Sequence, residues 1–145
     1  MREIKFRAWE IKENKMWDVF RLDFSPDQYK PHTIIVGTAN EGSMLSKPLH
    51  NLSCDSPDFI LMQYTGLKDK NGVEAYHKDI CIGNWPYADK CLIEWDDKRC
   101  GFYFRPIKPD GTFGKAAYDK GYKLNAYKYE IIGNEPENPE LLTGI

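Results

Sequence analysis

The feature that most constrains the fold is a series of short segments in which apolar and polar side chains alternate. Clear examples are IKFRAW at residues 4–9 and CLIEW at residues 91–95. A period of two is typical of a strand with one buried face. Turn signals recur about every 8–12 residues, and no long amphipathic helical pattern separates them. This spacing favours a mostly antiparallel β-barrel or β-sandwich.

The first two alternating segments predict an N-terminal β-hairpin. IKFRAW is followed by the polar stretch EIKENK and then by MWDVFRLDF, which ends at residue 24. Strict alternation in MWDVFRLDF places Phe20, Leu22 and Phe24 on one face. Arg21 and Asp23 then lie on the opposite face.

A second strong turn signal lies in the middle of the chain. The apolar run FILMQYT is followed by GLKDKNG, and Asn71-Gly72 is a dipeptide that readily accepts positive φ. Near the end, ENPELL predicts a short helical turn with Asn138 as its cap and Pro139 at its first position.

The length of 145 residues is that of one domain. We expect a β-rich and irregular part over 1–57, a barrel-like part over 58–135 and a helical turn over 138–142. The 14% share of aromatic residues suits a protein built from strands.

The charge balance and the apolar runs exclude some classes of protein. The net charge is −2, which disfavours binding to nucleic acid through phosphates alone. The longest apolar run, FILM, is far too short for a transmembrane helix, and the first 15 residues lack a signal-peptide core. We therefore expect a cytoplasmic protein with no membrane partner.

No motif for catalysis, metal binding or cofactor binding is present. The cysteines form no CxxC pair, and we interpret all four as free thiols, with Cys81 and Cys91 packed in strands. Glu94, Asp96 and Asp97 are close in sequence, but turns need such polar residues, so a solvated turn explains them. We predict a protein that is not an enzyme, with no metal and no cofactor.

Aromatic and basic residues in the C-terminal half form the candidate binding surface. In a barrel, neighbouring strands can present Trp95, Tyr103 and Arg105 as a stacking platform for single-stranded nucleic acid. The alternative, which we favour, is that Phe102 and Phe104 fill the core while Tyr103 covers a face or an oligomer contact. Trp85 and Tyr87, which we expect on a loop, are the remaining candidates, as an anchor for a partner or as a cap on the barrel end.

Three blocks of sequence resemble YopX-like proteins, a family carried by bacteriophages and prophages. They are MREIKFRAWE at the start, LMQYTGLKDKNG followed by KDI in the middle, and YEIIGNEPENPELL at the end. The resemblance implies a mostly β fold with an SH3-like barrel in the C-terminal half and a tendency to self-associate. It implies no established enzymatic activity. One departure is that Lys78 stands where relatives typically have a glycine.

The expected fold is therefore mostly β, with an N-terminal β-hairpin, a C-terminal SH3-like partly open β-barrel and only short helical segments. The expected function is that of a phage or prophage accessory protein, a non-enzymatic module that forms homo-oligomers or binds a host or phage protein. The alternative is a nucleic-acid-binding β-barrel in phage replication or regulation. Salt-dependent binding to single-stranded nucleic acid separates the two hypotheses.

Overall fold

The structure is a computed structural model that describes residues 1–23, 32–37, 44–49, 58–85, 88–114 and 128–143. Nearly all regular structure in these residues is antiparallel strand. The strands are β1 Phe6–Glu10, β2 Lys15–Asp23, β3 His32–Gly37, β4 Met44–Leu49, β5 Phe59–Lys68, β6 Glu74–Tyr76, β7 Asp79–Trp85, β8 Ala88–Asp96, β9 Gly101–Ile107 and β10 Tyr129–Asn134. The prediction of a mostly β fold is confirmed.

The chain divides into two compact units, which we call the N-terminal unit (Ile4–Gln63) and the C-terminal unit (Met1–Glu3 with Tyr64–Ile145). The first sheet has the strand order β4-β3-β2-β1-β5-β6. Strands β1–β4 and β5 as far as Gln63 belong to the N-terminal unit, and the rest of β5 with β6 belongs to the C-terminal unit. The hairpin of β1 and β2 pairs Ala8 with Trp17 and confirms the predicted N-terminal β-hairpin. A buried cluster that includes both residues and Phe59 forms the core on one face of this sheet.

A bulge in β2 overturns the predicted faces of that strand. The pairing of β2 with β3 shifts register between Val19 and Arg21. The extra residue is Phe20, which is 55% exposed, whereas Val19 and Leu22 pack on the core cluster. Phe20 and Leu22 therefore do not share a face, because a bulge changes the alternation by one residue. Phe24 lies outside the described residues.

The C-terminal unit is built on a four-stranded sheet in the order β10-β7-β8-β9. One face, here called the hairpin face, buries Cys81, Cys91 and Phe104 beneath Leu67 and Ala75 of the β5–β6 hairpin. Both cysteines are free and buried, as predicted.

The opposite face of the same sheet, here called the tail face, carries a second apolar cluster. Ile80, Leu92 and Ile107 are buried there, and the C-terminal residues Leu141 and Leu142 pack against them. Since each strand contributes alternate side chains to the two faces, this sheet is apolar on both sides. Leucines from the chain terminus thus cover a face that would otherwise meet water.

The C-terminal segment ends in a 3-10 helix, Pro139–Leu142, with Pro139 in its first turn as predicted. Asn138 makes no side-chain cap, however. Its Oδ1 instead accepts the backbone N–H of Asn134 at 3.3 Å. Gly133 makes room for this contact, since a Cβ there would lie 2.6 Å from the same oxygen.

Among the described strands, neither sheet closes on itself. The two edges of the four-stranded sheet, β9 and β10, do not pair with each other. The barrel-like part predicted from the sequence is therefore an open sheet, with the β5–β6 hairpin packed on one face.

Candidate functional site

The β8–β9 hairpin carries three of the five candidate residues, and its turn is firmly closed. Asp96 is buried, and its Oδ1 accepts the backbone N–H of Lys98 at 3.0 Å. Cys100 ends the turn with φ of 50°. Asp96 thus serves the geometry of the turn although it is buried, whereas Glu94 lies within β8 and pairs with Arg105 at 2.9 Å.

Trp95 is the exposed aromatic side chain of this hairpin. It lies directly opposite Phe102, and the ring centroids are 5.0 Å apart in an edge-to-face arrangement. The His77 ring also contacts Phe102, with 6.1 Å between the ring centroids. Trp95 is 38% exposed. We call Trp95, Phe102 and His77 the aromatic surface.

Tyr103 and Arg105 lie on the opposite face of the sheet from Trp95. Tyr103 pairs with Glu94, and directly opposite residues of an antiparallel pair share a face. Glu94 accepts a hydrogen bond from Arg105 at 2.9 Å, and the Arg105 guanidinium stacks on Phe113 at 4.2 Å. The structure therefore brings Tyr103 and Arg105 together but separates both from Trp95.

The other two candidates do not join the aromatic surface. Trp85 is the last residue of β7 and is buried, with its ring 4.9 Å from Phe104 in an edge-to-face contact. Gly83 leaves space for this ring, since a Cβ there would lie 3.0 Å from the indole. Tyr87 lies outside the described residues.

Behind the aromatic surface, the turn that carries His77 is fixed at Lys78. This residue adopts φ of 68°, so it takes the left-handed conformation that glycine favours. Its N–H donates to the carbonyl of Ile93 at 2.8 Å, and its own carbonyl accepts the N–H of Glu135 at 2.9 Å. The Lys78 ammonium also pairs with the Glu135 carboxylate at 2.7 Å. The departure from glycine thus changes the side chain and keeps a glycine-like backbone.

Asp69, in the KDKNG turn, was not singled out by sequence reasoning. One carboxylate oxygen accepts the N–H groups of Asn71 and Val73, and the other accepts the N–H of Ile131 at 3.0 Å. Burial alone would raise the pKa of Asp69, but these three hydrogen bonds and the charge of Lys70 lower it below the ordinary value. The turn thereby caps the outer edge of β10.

The described residues contain no group of three or more side chains that could hold a metal ion. The buried cysteines are poor nucleophiles, because burial raises the pKa of Cys91 to about 12. Burial, with the nearby Asp79 carboxylate, raises the pKa of Cys81 as well. Within the described ranges, no helix is both long and apolar enough to cross a bilayer.

These features define a small, mostly β protein with an exposed aromatic surface on one sheet hairpin. Residues 5–143 match the model of the family described as YopX protein. The chain belongs to the YopX protein family.

One solved structure matches this chain over nearly its whole length. The chain is similar to the crystal structure of protein EF1440 from Enterococcus faecalis, with 29% sequence identity and a TM-score of 0.60. The match covers 98% of this chain and 99% of that chain. A search of curated proteins finds no match.

Proposed function

We propose that this chain is a non-catalytic accessory protein of a phage or prophage that self-associates through its aromatic surface. Membership of the YopX protein family fits this role. The observation that carries the proposal is the exposed Trp95, held edge-to-face on Phe102 by a rigid hairpin.

A tryptophan in this position suits a protein contact. Tryptophan is enriched among the residues that dominate binding energy at protein interfaces. Aromatic rings that are already ordered lose little conformational freedom on binding. Phe102 and the closed turn after Asp96 hold Trp95 in place before a partner arrives.

The second hypothesis, a nucleic-acid-binding surface, receives less support from the geometry. Such surfaces combine stacked aromatic side chains with cations that meet phosphates. Arg105 lies on the opposite face from Trp95, and Glu94 neutralises it at 2.9 Å. The net charge of −2 supplies no overall attraction for a polyanion.

Self-association is tested by light scattering coupled to size-exclusion chromatography over a series of protein concentrations. We expect a mass that rises with concentration, and we expect Trp95→Ala to weaken the association about tenfold or more. Val73→Ala is the matched control, since Val73 is 50% exposed on a turn distant in sequence from the hairpin. A chain that stays monomeric throughout, or that associates equally well without Trp95, contradicts the proposal.

Fluorescence anisotropy with labelled single-stranded DNA and RNA tests the alternative. We expect no binding at micromolar protein over a salt series. Binding that weakens with added salt and is lost in Trp95→Ala would support the nucleic-acid hypothesis instead.

A further inference from the structure

We propose that the Lys78–Glu135 ion pair is a latch that positions the aromatic surface for self-association. The proposal rests on the proposed function for its role in binding, but the latch itself can be tested in the monomer. It links the C-terminal segment, which begins after β10, to Trp95 through the turn that carries His77.

The link consists of direct contacts from one residue to the next. Glu135 meets Lys78 twice, through its backbone N–H at 2.9 Å and its carboxylate at 2.7 Å. His77 is the residue before Lys78 and packs on Phe102, with 6.1 Å between ring centroids. Phe102 in turn packs on Trp95 at 5.0 Å.

The surroundings make this ion pair more effective than a typical surface pair. The side chains of Lys78 and Glu135 are only 15% and 31% exposed, so water screens them less than freely exposed charges. Lys78 also sits at φ of 68°, where a residue with a side chain is strained. The pair adds to the two backbone hydrogen bonds that hold this strained backbone, and we expect His77 to shift when the pair is lost.

The Lys70–Glu130 ion pair provides a matched control in the same unit. Its side chains are 48% and 37% exposed. It joins the KDKNG turn to β10, and the aromatic surface includes neither residue. Lys70→Met changes the net charge by the same amount as Lys78→Met.

The first experiment labels the four tryptophans with 5-fluorotryptophan and follows them by fluorine NMR at concentrations where the chain is monomeric. Trp95→Phe assigns the Trp95 signal. We expect Lys78→Met and Glu135→Gln to shift that signal by more than its linewidth, while the signals of Trp9 and Trp17 stay in place. Lys70→Met should leave all four signals unchanged.

Two further variants test whether the latch acts through His77. His77→Ala should shift the Trp95 signal, and Lys78→Met should add little in the His77→Ala background, since coupled residues are not additive. The charge-swapped pair Lys78→Glu with Glu135→Lys should restore the signal. The latch is contradicted if the fluorine chemical shift of Trp95 is unchanged in Lys78→Met and Glu135→Gln, or if it changes as much in Lys70→Met.

The second experiment measures the dissociation constant of self-association by sedimentation velocity. We expect it to rise about three- to tenfold in Lys78→Met and Glu135→Gln, and to stay unchanged in Lys70→Met. If the chain never associates, the proposed function fails, whereas the fluorine signals still decide whether the latch exists. Unchanged dissociation constants in all three variants would overturn the link between the latch and binding.

Discussion

At the scale of single residues, Lys78 shows how a left-handed backbone is kept without glycine. The left-handed region costs an ordinary L-residue about 1–2 kcal/mol. Lys78 offsets this cost with backbone hydrogen bonds to Ile93 and Glu135 and with the ion pair of its ammonium. Asn14 and Cys100 also have positive φ, and both lie in turns.

Two glycines of the central sequence block have positive φ, but a side chain at each would meet different surroundings. Gly66 has φ of 88°, and a Cβ there would lie 2.7 Å from the Arg2 side chain. Gly72 has φ of 83°, and a Cβ there would meet nothing within 4 Å. A side chain at residue 66 would therefore meet both backbone strain and a close contact with Arg2, whereas a side chain at residue 72 would meet backbone strain alone.

Alanine substitutions at these positions therefore differ in cost. We expect Gly72→Ala to lower the free energy of unfolding by about 1 kcal/mol and Gly66→Ala to lower it by about 1–2 kcal/mol more. Adding Arg2→Ala to Gly66→Ala should bring its cost down toward that of Gly72→Ala. Urea unfolding of the variants measures these differences. If both alanine variants lower the free energy of unfolding equally, and Arg2→Ala has no effect, the close contact at residue 66 carries no cost and the prediction is wrong.

At the scale of elements, the KDKNG turn acts as the partner of an edge strand. The outer edge of β10 presents the carbonyl of Tyr129 and the N–H of Ile131. Lys70 donates its N–H to the carbonyl, and the Asp69 carboxylate accepts the N–H. An exposed edge is a template for unwanted pairing, and this turn removes two of its free groups.

Asp69→Asn tests the edge cap, because an amide keeps the shape but replaces one acceptor oxygen with a donor. The N–H of Ile131 would then lose its acceptor, at a cost of about 1–3 kcal/mol in the free energy of unfolding at neutral pH. Asp97 is exposed, so Asp97→Asn is the control and should leave the free energy of unfolding nearly unchanged.

The pH dependence of this cost follows from the lowered pKa of Asp69. The folded carboxyl titrates below its ordinary value of 3.8, so its stabilisation is complete above that value and is lost as pH falls through the folded pKa. We expect the difference between wild type and Asp69→Asn to be constant from about pH 6 to 8 and to shrink below the ordinary value. A difference that grows in acid contradicts the cap.

Sequence patterns predicted the elements well and the contacts between them poorly. The N-terminal hairpin and the turn at Asn71-Gly72 follow from alternation and turn chemistry, both of which are local. The bulge that exposes Phe20 and the register that opposes Trp95 to Phe102 depend on pairing between strands. Alternation fixes the faces within one strand, but only the register shows which residues of the next strand share them.

The candidate site shows the same limit. Trp95 and Arg105 have the residue types of a stacking platform, yet the pairing of Tyr103 with Glu94 places them on opposite faces. The role of Asp69 depends on a hydrogen bond to Ile131, 62 residues away. No local pattern contains that contact.

At the scale of the whole molecule, each unit has buried side chains on both faces of its sheet. In the N-terminal unit, the cluster around Ala8, Trp17 and Phe59 lies on one face of the sheet, and Trp9 and Met62 are buried on the other. The sheet of the C-terminal unit is apolar on both faces, and it depends on the β5–β6 hairpin and on Leu141 and Leu142 to cover them. The C-terminal segment is thus an integral layer of its unit.

Cys81 and Cys91 give this unit a built-in chemical reporter of opening. They lie directly opposite each other in β7 and β8, fully buried, with raised pKa values, so the folded chain offers alkylating reagents almost no thiolate at either position. In a Cys54→Ser, Cys100→Ser background, we expect iodoacetamide to modify both thiols only as fast as the four-stranded sheet opens. Mass spectrometry follows the rate of modification, which then equals the rate of opening. Rapid modification in native buffer would contradict the buried arrangement.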